Sequence, residues 1–225
     1  MTSIIMPVFN ESSELAGALE NLSGSLKPNS SIEIIISDGG SNDHCLDITR
    51  QYPCRVIITD FGRARQMNVA SQQALGDWLL FLHADSQLPD NWQDQLLRSD
   101  QWGFFPIKLT GEHWLLRIVE SSINLRSRIS KVATGDQGLY FRRSFFNEIG
   151  GYPDIPIMED VAISKLARQK SVASIGVQPI ITSSRRWQQN GIVKTIFLMW
   201  GLRLAYFLGI NPKRLHRIYY PNKIY

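Results

Sequence analysis

Three short apolar runs, Ser3–Val8, Ile32–Ser37 and Trp78–Leu82, each stop abruptly at polar residues, and this recurrence constrains the fold more than any other feature of the chain. An apolar run of about five residues bounded by polar groups is the pattern of a strand buried on both faces, as in a parallel sheet. Between the runs stand helical segments. Leu15, Leu19 and Leu22 recur at helical spacing after Asn10–Glu14, where Asn, Ser and acidic side chains mark a helix start. Pro28–Ser31 breaks the chain before the second run; Cys45–Tyr52 and Arg63–Leu75 read as helices around a third strand at Arg55–Ile58. Strands alternating with helices predict an α/β fold with a mostly parallel central sheet flanked by helices.

After Pro89 the pattern is mixed. It predicts a helix at Trp92–Ser99, a strand at Gly103–Leu109, a helix at Glu112–Ser130, a loop at Gly135–Gly138 and a strand at Leu139–Phe141. A short helix at Arg143–Ile149 stopped by Gly150–Gly151, a helix at Asp160–Gln169 and a strand at Ile175–Ile181 follow. Lys194 and Arg203 interrupt the apolar stretch Ile192–Ile210, leaving uncharged runs well below the roughly 18 residues a spanning helix needs. A docked or interfacial helix is therefore expected there. The expected organisation is one domain over 1–190, with a nucleotide-binding half (1–90) and an acceptor half (91–190), and a basic helical extension (191–225) packed on it.

A chain of 225 residues, 44% of them hydrophobic, can bury one sizeable core. Two cysteines without a Cys/His cluster of zinc spacing fit a reducing cytosol, and Met1–Pro7 lacks the basic start of a signal peptide, so a cytoplasmic location is expected. Charge is lopsided: residues 161–225 hold 11 of the 24 Lys and Arg and none of the 20 Asp and Glu. Such asymmetry points to an anionic partner, whether a phosphorylated ligand, a membrane surface or nucleic acid. No nucleic-acid motif accompanies it, and no nucleic-acid partner is expected.

The ends of the parallel strands should meet at one edge of the sheet, where ligands bind in open α/β folds. That edge would gather Asn10–Glu11, Asp38 and His83–Ala84–Asp85. Carboxylates there suit a hard divalent cation, which takes oxygen ligands and keeps waters and phosphates in its remaining positions. Arg63 and Arg65 stand at a loop-to-helix junction, where guanidinium forks and helix N-termini both favour phosphate. Glu159 and Asp160 precede a helical segment, either as capping carboxylates or, in a cleft, as a general base. Thr182–Trp187 adds two arginines and an indole suited to a sugar face or a pyrophosphate.

In this order and spacing, Pro7–Glu11, Asp38–Asp43, Gly62–Arg65, Phe81–Asp85 and Glu159–Asp160 resemble the pattern of glycosyltransferase family 2 over roughly residues 3–190. Gly135–Gly138 and Ser184–Trp187 look most like small bacterial members associated with arsenosugar biosynthesis. The resemblance implies a GT-A (Rossmann-like) fold, a nucleotide-diphosphate sugar donor, Mg²⁺ or Mn²⁺ as cofactor and inversion at the anomeric carbon. It implies that Pro7, Phe9 and Glu11 line the nucleoside pocket, that Asp38 bonds the base, and that Arg65 lies near base or phosphates. His83, Ala84 and Asp85 would stand at the donor, with Asp85 on the metal. Asp136, Gln137, Glu159, Arg186 and Trp187 would face the acceptor or phosphates, and Asp160 would be the catalytic base. His83 stands where the family carries an Asp, and Ser183 where processive synthases carry a Gln, so chain polymerisation is not expected. The acceptor is expected to be a small molecule or lipid-linked, with peripheral membrane contact through 192–210. The competing readings are a nucleotidyltransferase of similar fold, against which the acidic Asn10–Glu14 loop argues, and a membrane- or nucleic-acid-binding module built on the basic C-terminal part.

Overall fold

A computed structural model describes residues 1–25 and 31–220. The chain break expected at Pro28–Ser31 lies, except for Ser31, outside the described residues, as do residues 221–225 of the extension. The first half runs β1 (Thr2–Val8), α1 (Ser12–Ser25), β2 (Ile32–Asp38), α2 (Cys45–Thr49), β3 (Arg55–Ile58), α3 (Arg63–Gln73) and β4 (Trp78–Phe81). The four strands are parallel, with Val8 opposite Asp38 and Asp38 opposite Ile58, so their C-terminal ends share one edge. Strand side chains alternate between faces. On β1, Ile4, Met6 and Val8 pack with Leu15, Leu19 and Leu22 of α1, whereas Ile5 packs with Ala64, Met67 and Ala70 of α3. Both faces are therefore buried, as the apolar runs predict.

The second half adds β5 (Ser86–Gln87), α4 (Trp92–Leu97), β6 (Trp102–Phe104), β7 (Ile107–Leu109), α5 (Trp114–Ser130), a 3-10 turn (Gly135–Gln137) and β8 (Tyr140–Arg142). Then come α6 (Arg143–Glu148), α7 (Glu159–Lys170), β9 (Ser174–Ile175), β10 (Ile180–Thr182), α8 (Arg185–Asn190), α9 (Ile192–Phe207) and α10 (Pro212–Tyr219). The main sheet has the order β3-β2-β1-β4-β8-β6-β9, with β8 antiparallel to its neighbours, and a small sheet has the order β5-β10-β7.

Two expected strands are each divided between these sheets. Gly103–Leu109 becomes β6 and β7, because Pro106 lacks the N–H a ladder needs and the Phe105 N–H turns to the carbonyl of Gln137. Ile175–Ile181 becomes β9 and β10 around Gly176, where a Cβ would come within 2.6 Å of the Phe105 ring. Both strands thus cross from one sheet to the other at the same place. α8 and β5 were not expected; both are too short to show a period.

Candidate active site

The shared strand edge opens into one cavity of about 270 Å³ whose walls come from both halves of the chain. Pro7 near the end of β1 and Phe9 and Glu11 just after it line one end, where the Phe9 and Phe61 rings meet edge to face at 4.5 Å. His83, Ala84 and Asp85 follow β4; Asp136, Glu159, Asp160, Arg186 and Trp187 line the remaining walls.

The turn after β1 is built by side chains from a second loop. Asn10, in the left-handed region at φ 54°, donates its N–H to Ser41 Oγ and accepts from the Asn42 N–H, and Asp43 accepts from the Ser12 N–H. Burial pushes the Asp43 carboxyl up, but hydrogen bonds from Cys45 and Ser12 outweigh it and bring the group down to about 2. Asp38 ends β2 fully buried: its Oδ1 accepts from the N–H groups of Gly40 and Ser41, while its Oδ2 has no partner among the described residues. A buried oxygen left unpaired is costly. Buried Gln66 of α3 donates to the carbonyls of Val8 and Ser37, tying helix to strand ends.

At the centre, His83 Nδ1 lies 3.3 Å from Asp136 Oδ1. Burial opposes charge on His83, but Asp136 overcomes it through its hydrogen bond and charge, so the imidazole titrates above its usual range. Asp136 is held low despite burial, by His83 first and then by Arg63 and Arg186. Asp85 is pushed up by burial and by the neighbouring charge of Asp136. Two carboxylates so placed repel each other, and a divalent cation would relieve that repulsion. Among the described residues no three His, Cys, Asp or Glu side chains converge to hold a metal by themselves. The donor set fits a cation bound through Asp85 and completed by water and phosphate oxygens.

Asp160 sits in the first turn of α7 with both oxygens held by backbone: Oδ2 accepts from the Gly135 N–H at 2.7 Å and Oδ1 from the Val161 N–H at 2.6 Å. Met158, the residue before α7, is in the left-handed region at φ 68°, a strained setting for a side chain with a Cβ and one that recurs at functional sites. A Cβ on Gly135 would come within 2.6 Å of the His83 ring, so this position binds Asp160 and His83 together. Gly135→Ala is therefore expected to displace both and to lower turnover about tenfold to a hundredfold while the chain stays folded, read by steady-state kinetics beside circular dichroism.

Several expected site residues lie elsewhere. Arg65 is outside the cavity, ion-paired with Asp60 and Asp154; its neighbour Arg63 lines the cavity instead, paired with Glu159 at 3.6 Å and donating to Tyr220 Oη at 2.9 Å. Glu159 lines the cavity as well, but is nearly buried and ion-paired with Arg63. Gln137 is buried beneath the floor, donating to the Phe105 carbonyl and accepting from Ser127 Oγ and the Thr134 N–H. Asp38 does not line the cavity, and Trp187 packs with Leu116 and Val119 of α5 as well as reaching it. Arg186 lies under Tyr219 and Tyr220, 4.1 and 5.2 Å from the two rings. The cavity also takes Thr195, Met199 and Arg203 from α9, His216 and Tyr219 from α10, and Tyr220 just after it. The only sequence signal for these was the basic composition of the C-terminal part. Arg203 and its neighbour Arg126, which burial and the Arg203 charge bring down to about 10, put positive charge near Asp160.

Residues 3–103 match the Glycosyl transferase family 2 family model. A "PGL/p-HBAD biosynthesis glycosyltransferase" of Mycobacterium bovis is 30% identical over 172 residues, 68% of this chain and 63% of that protein. The chain thus spans somewhat less than two thirds of that relative's length. An "Uncharacterized glycosyltransferase" of Haemophilus influenzae is 36% identical over 88 residues, 38% of this chain and 29% of that protein. Among solved structures, S. aureus TarS 1-349 in complex with UDP superposes with a TM-score of 0.66 at 19% identity, covering 81% of this chain and 60% of that one. The mannosyltransferase PcManGT of Pyrobaculum calidifontis, in complex with GDP-Man and Mn²⁺, superposes with a TM-score of 0.62 at 18% identity, covering 81% and 56%. The fold is GT-A, as expected from the sequence.

Proposed function

We propose that this chain, a member of glycosyl transferase family 2, moves a sugar from a nucleotide-diphosphate donor to an acceptor hydroxyl with inversion, Asp160 serving as general base. The observation that carries the reading is a single cavity holding an aromatic-walled end at Phe9 and Phe61, the Asp85–His83–Asp136 cluster, and the backbone-anchored Asp160. Pro7, Phe9, Phe61 and Glu11 would take the nucleoside, and Asp38, outside the cavity lining, would hold the Gly40–Ser41 turn behind them.

Arg63 and Arg186 would meet the diphosphate, whose negative charge grows as the anomeric bond breaks; fixed cations aimed at developing charge stabilise such a transition state. His83, tethered by Asp136, would donate a hydrogen bond to the donor. Asp160 would take the acceptor's proton, its oxygens oriented by the Gly135 and Val161 N–H groups. A divalent cation on Asp85, Mg²⁺ or Mn²⁺, would supply charge neutralisation at the diphosphate when bound. The acceptor is a hydroxyl compound, small or lipid-linked, and the likeness of Gly135–Gly138 and Ser184–Trp187 to transferases of arsenosugar biosynthesis supports trying arsenosugar precursors among the acceptors. The enzyme would work in the cytoplasm, with 191–225 folding onto the catalytic domain of 1–190.

Thermal-shift measurements with UDP and GDP, with and without Mn²⁺, test the reading. One nucleoside diphosphate is expected to raise the melting temperature with metal and much less in excess EDTA, and sugar transfer is expected to stop in EDTA and return with Mn²⁺ or Mg²⁺. Undiminished transfer in EDTA would remove the metal from the mechanism. Pyrophosphate release from a nucleoside triphosphate and a sugar phosphate would replace the whole reading with a nucleotidyltransferase.

A further inference from the structure

We propose that the outward faces of α9, α10 and α5 form a docking surface for an anionic lipid bilayer. α9 is two-sided in an unusual sense. Thr195, Met199 and Arg203, four residues apart, line the cavity, while Val193, Phe197, Trp200, Leu204 and Phe207 follow the same helical period on the other side and are all exposed. Phe197 is 68% and Trp200 63% accessible. α5 carries a second such stripe, Trp114, Ile118, Leu125 and Ile129, also exposed. The two helices pack together through Leu116, Val119 and Ile123 against Ile192 and Ile196 and turn these stripes away from that contact. A single exposed leucine needs no explanation, but two helical stripes containing two tryptophans and two phenylalanines mark a surface that meets something apolar.

Charge selects the occupant. Lys194 on α9 and Lys213, Arg214 and Arg217 on α10 are exposed, and the Lys165 ammonium lies 5.0 Å from the Tyr206 ring and 5.8 Å from that of Phe207, beside the end of the stripe. No acidic residue follows Asp160. A second copy of this chain would bring like charges together, whereas anionic headgroups match them and acyl chains match the stripes. Among the described residues no helix is long and apolar enough to cross a membrane, so these helices would lie on the surface. The cavity wall formed by α9 would then stand at the membrane, where a lipid-borne acceptor could reach it.

Flotation of the purified chain with vesicles of phosphatidylcholine alone, and of phosphatidylcholine mixed with phosphatidylglycerol, tests this. Recovery with the anionic vesicles is expected to exceed that with neutral ones at least about tenfold and to fall as salt is raised. The double variant Phe197→Ser/Trp200→Ser changes two side chains outside every hydrophobic cluster; it is expected to keep its circular dichroism and nucleotide thermal shift and to lose about tenfold in vesicle binding. Equal flotation of variant and parent, or no flotation of the parent with either vesicle, overturns the proposal. A parent dimer by light scattering that becomes monomeric in the variant overturns it too, assigning the face to a second copy. The nucleotide shift is read separately, so failure here is distinguishable from failure of the glycosyl-transfer reading.

Discussion

Asp160→Asn is expected to lower the transfer rate about 10²- to 10⁴-fold while leaving affinity for a nucleoside diphosphate within about twofold. The substitution keeps shape and removes the charge and the basic oxygen. Both Asp160 oxygens accept backbone N–H bonds, from Gly135 and Val161. The Asn amide can accept only through its single oxygen, so one bond is lost at a structural cost of about 1 kcal/mol, too little to unfold the chain. Product formation in single turnover, set beside calorimetric titration with the diphosphate, separates the two effects. A fall in nucleotide affinity as large as the fall in rate would mean that Asp160 holds the donor and does not serve as base.

Arg63→Met is expected to weaken nucleoside diphosphate binding at least about tenfold and to lower stability by about 1–3 kcal/mol. The stability figure is below that for a fully buried pair because the Arg63 side chain is 40% exposed, whereas that of Glu159 is only 5% exposed and is left without its counter-charge. Burial already pushes the Glu159 carboxyl up, with Arg63 opposing that rise, so the uncompensated acid is expected to take up a proton more readily in the variant. Adding Glu159→Gln removes the stranded charge. The double variant is expected to recover most of the melting temperature, at about 2–4 °C per kcal/mol for a chain of this size, and none of the nucleotide affinity. Recovery of both would reduce Arg63 to a structural partner of Glu159 and take it out of the donor site.

The Arg63–Arg65 pair shows where reading along the chain runs out. Residues two apart on a helix point about 200° away from each other, so only one of the two arginines can face a cavity. The choice depends on how α3 is rolled against the sheet, and that is decided by the burial of Ala64, Met67 and Ala70 against β1 and β4. Glu159 and Gln137 were recognisable as polar residues near the site. Their partners, Arg63 and Ser127, come from other elements: the Ser127 bond goes with a Gln137 buried outside the cavity lining, while Arg63 makes Glu159 an ion-paired part of the wall. The two divided strands have the same cause: Pro106 and Gly176 are visible in the sequence as interruptions, but not that both mark a crossing between sheets.

The parallel half of the sheet, the helices that cover it and the placement of Asp85 and His83 at its open edge followed from the sequence, because apolar runs predict burial on both faces and parallel strands all end on one side. The tertiary structure alone decided that α9, α10 and the residue just after α10 close the cavity with Met199, Arg203, Tyr219 and Tyr220, and that Arg63 faces inward while Arg65 faces out. Periodicity reports which face of an element is apolar. Which element that face meets is set by packing between residues tens of positions apart, and no local pattern carries it.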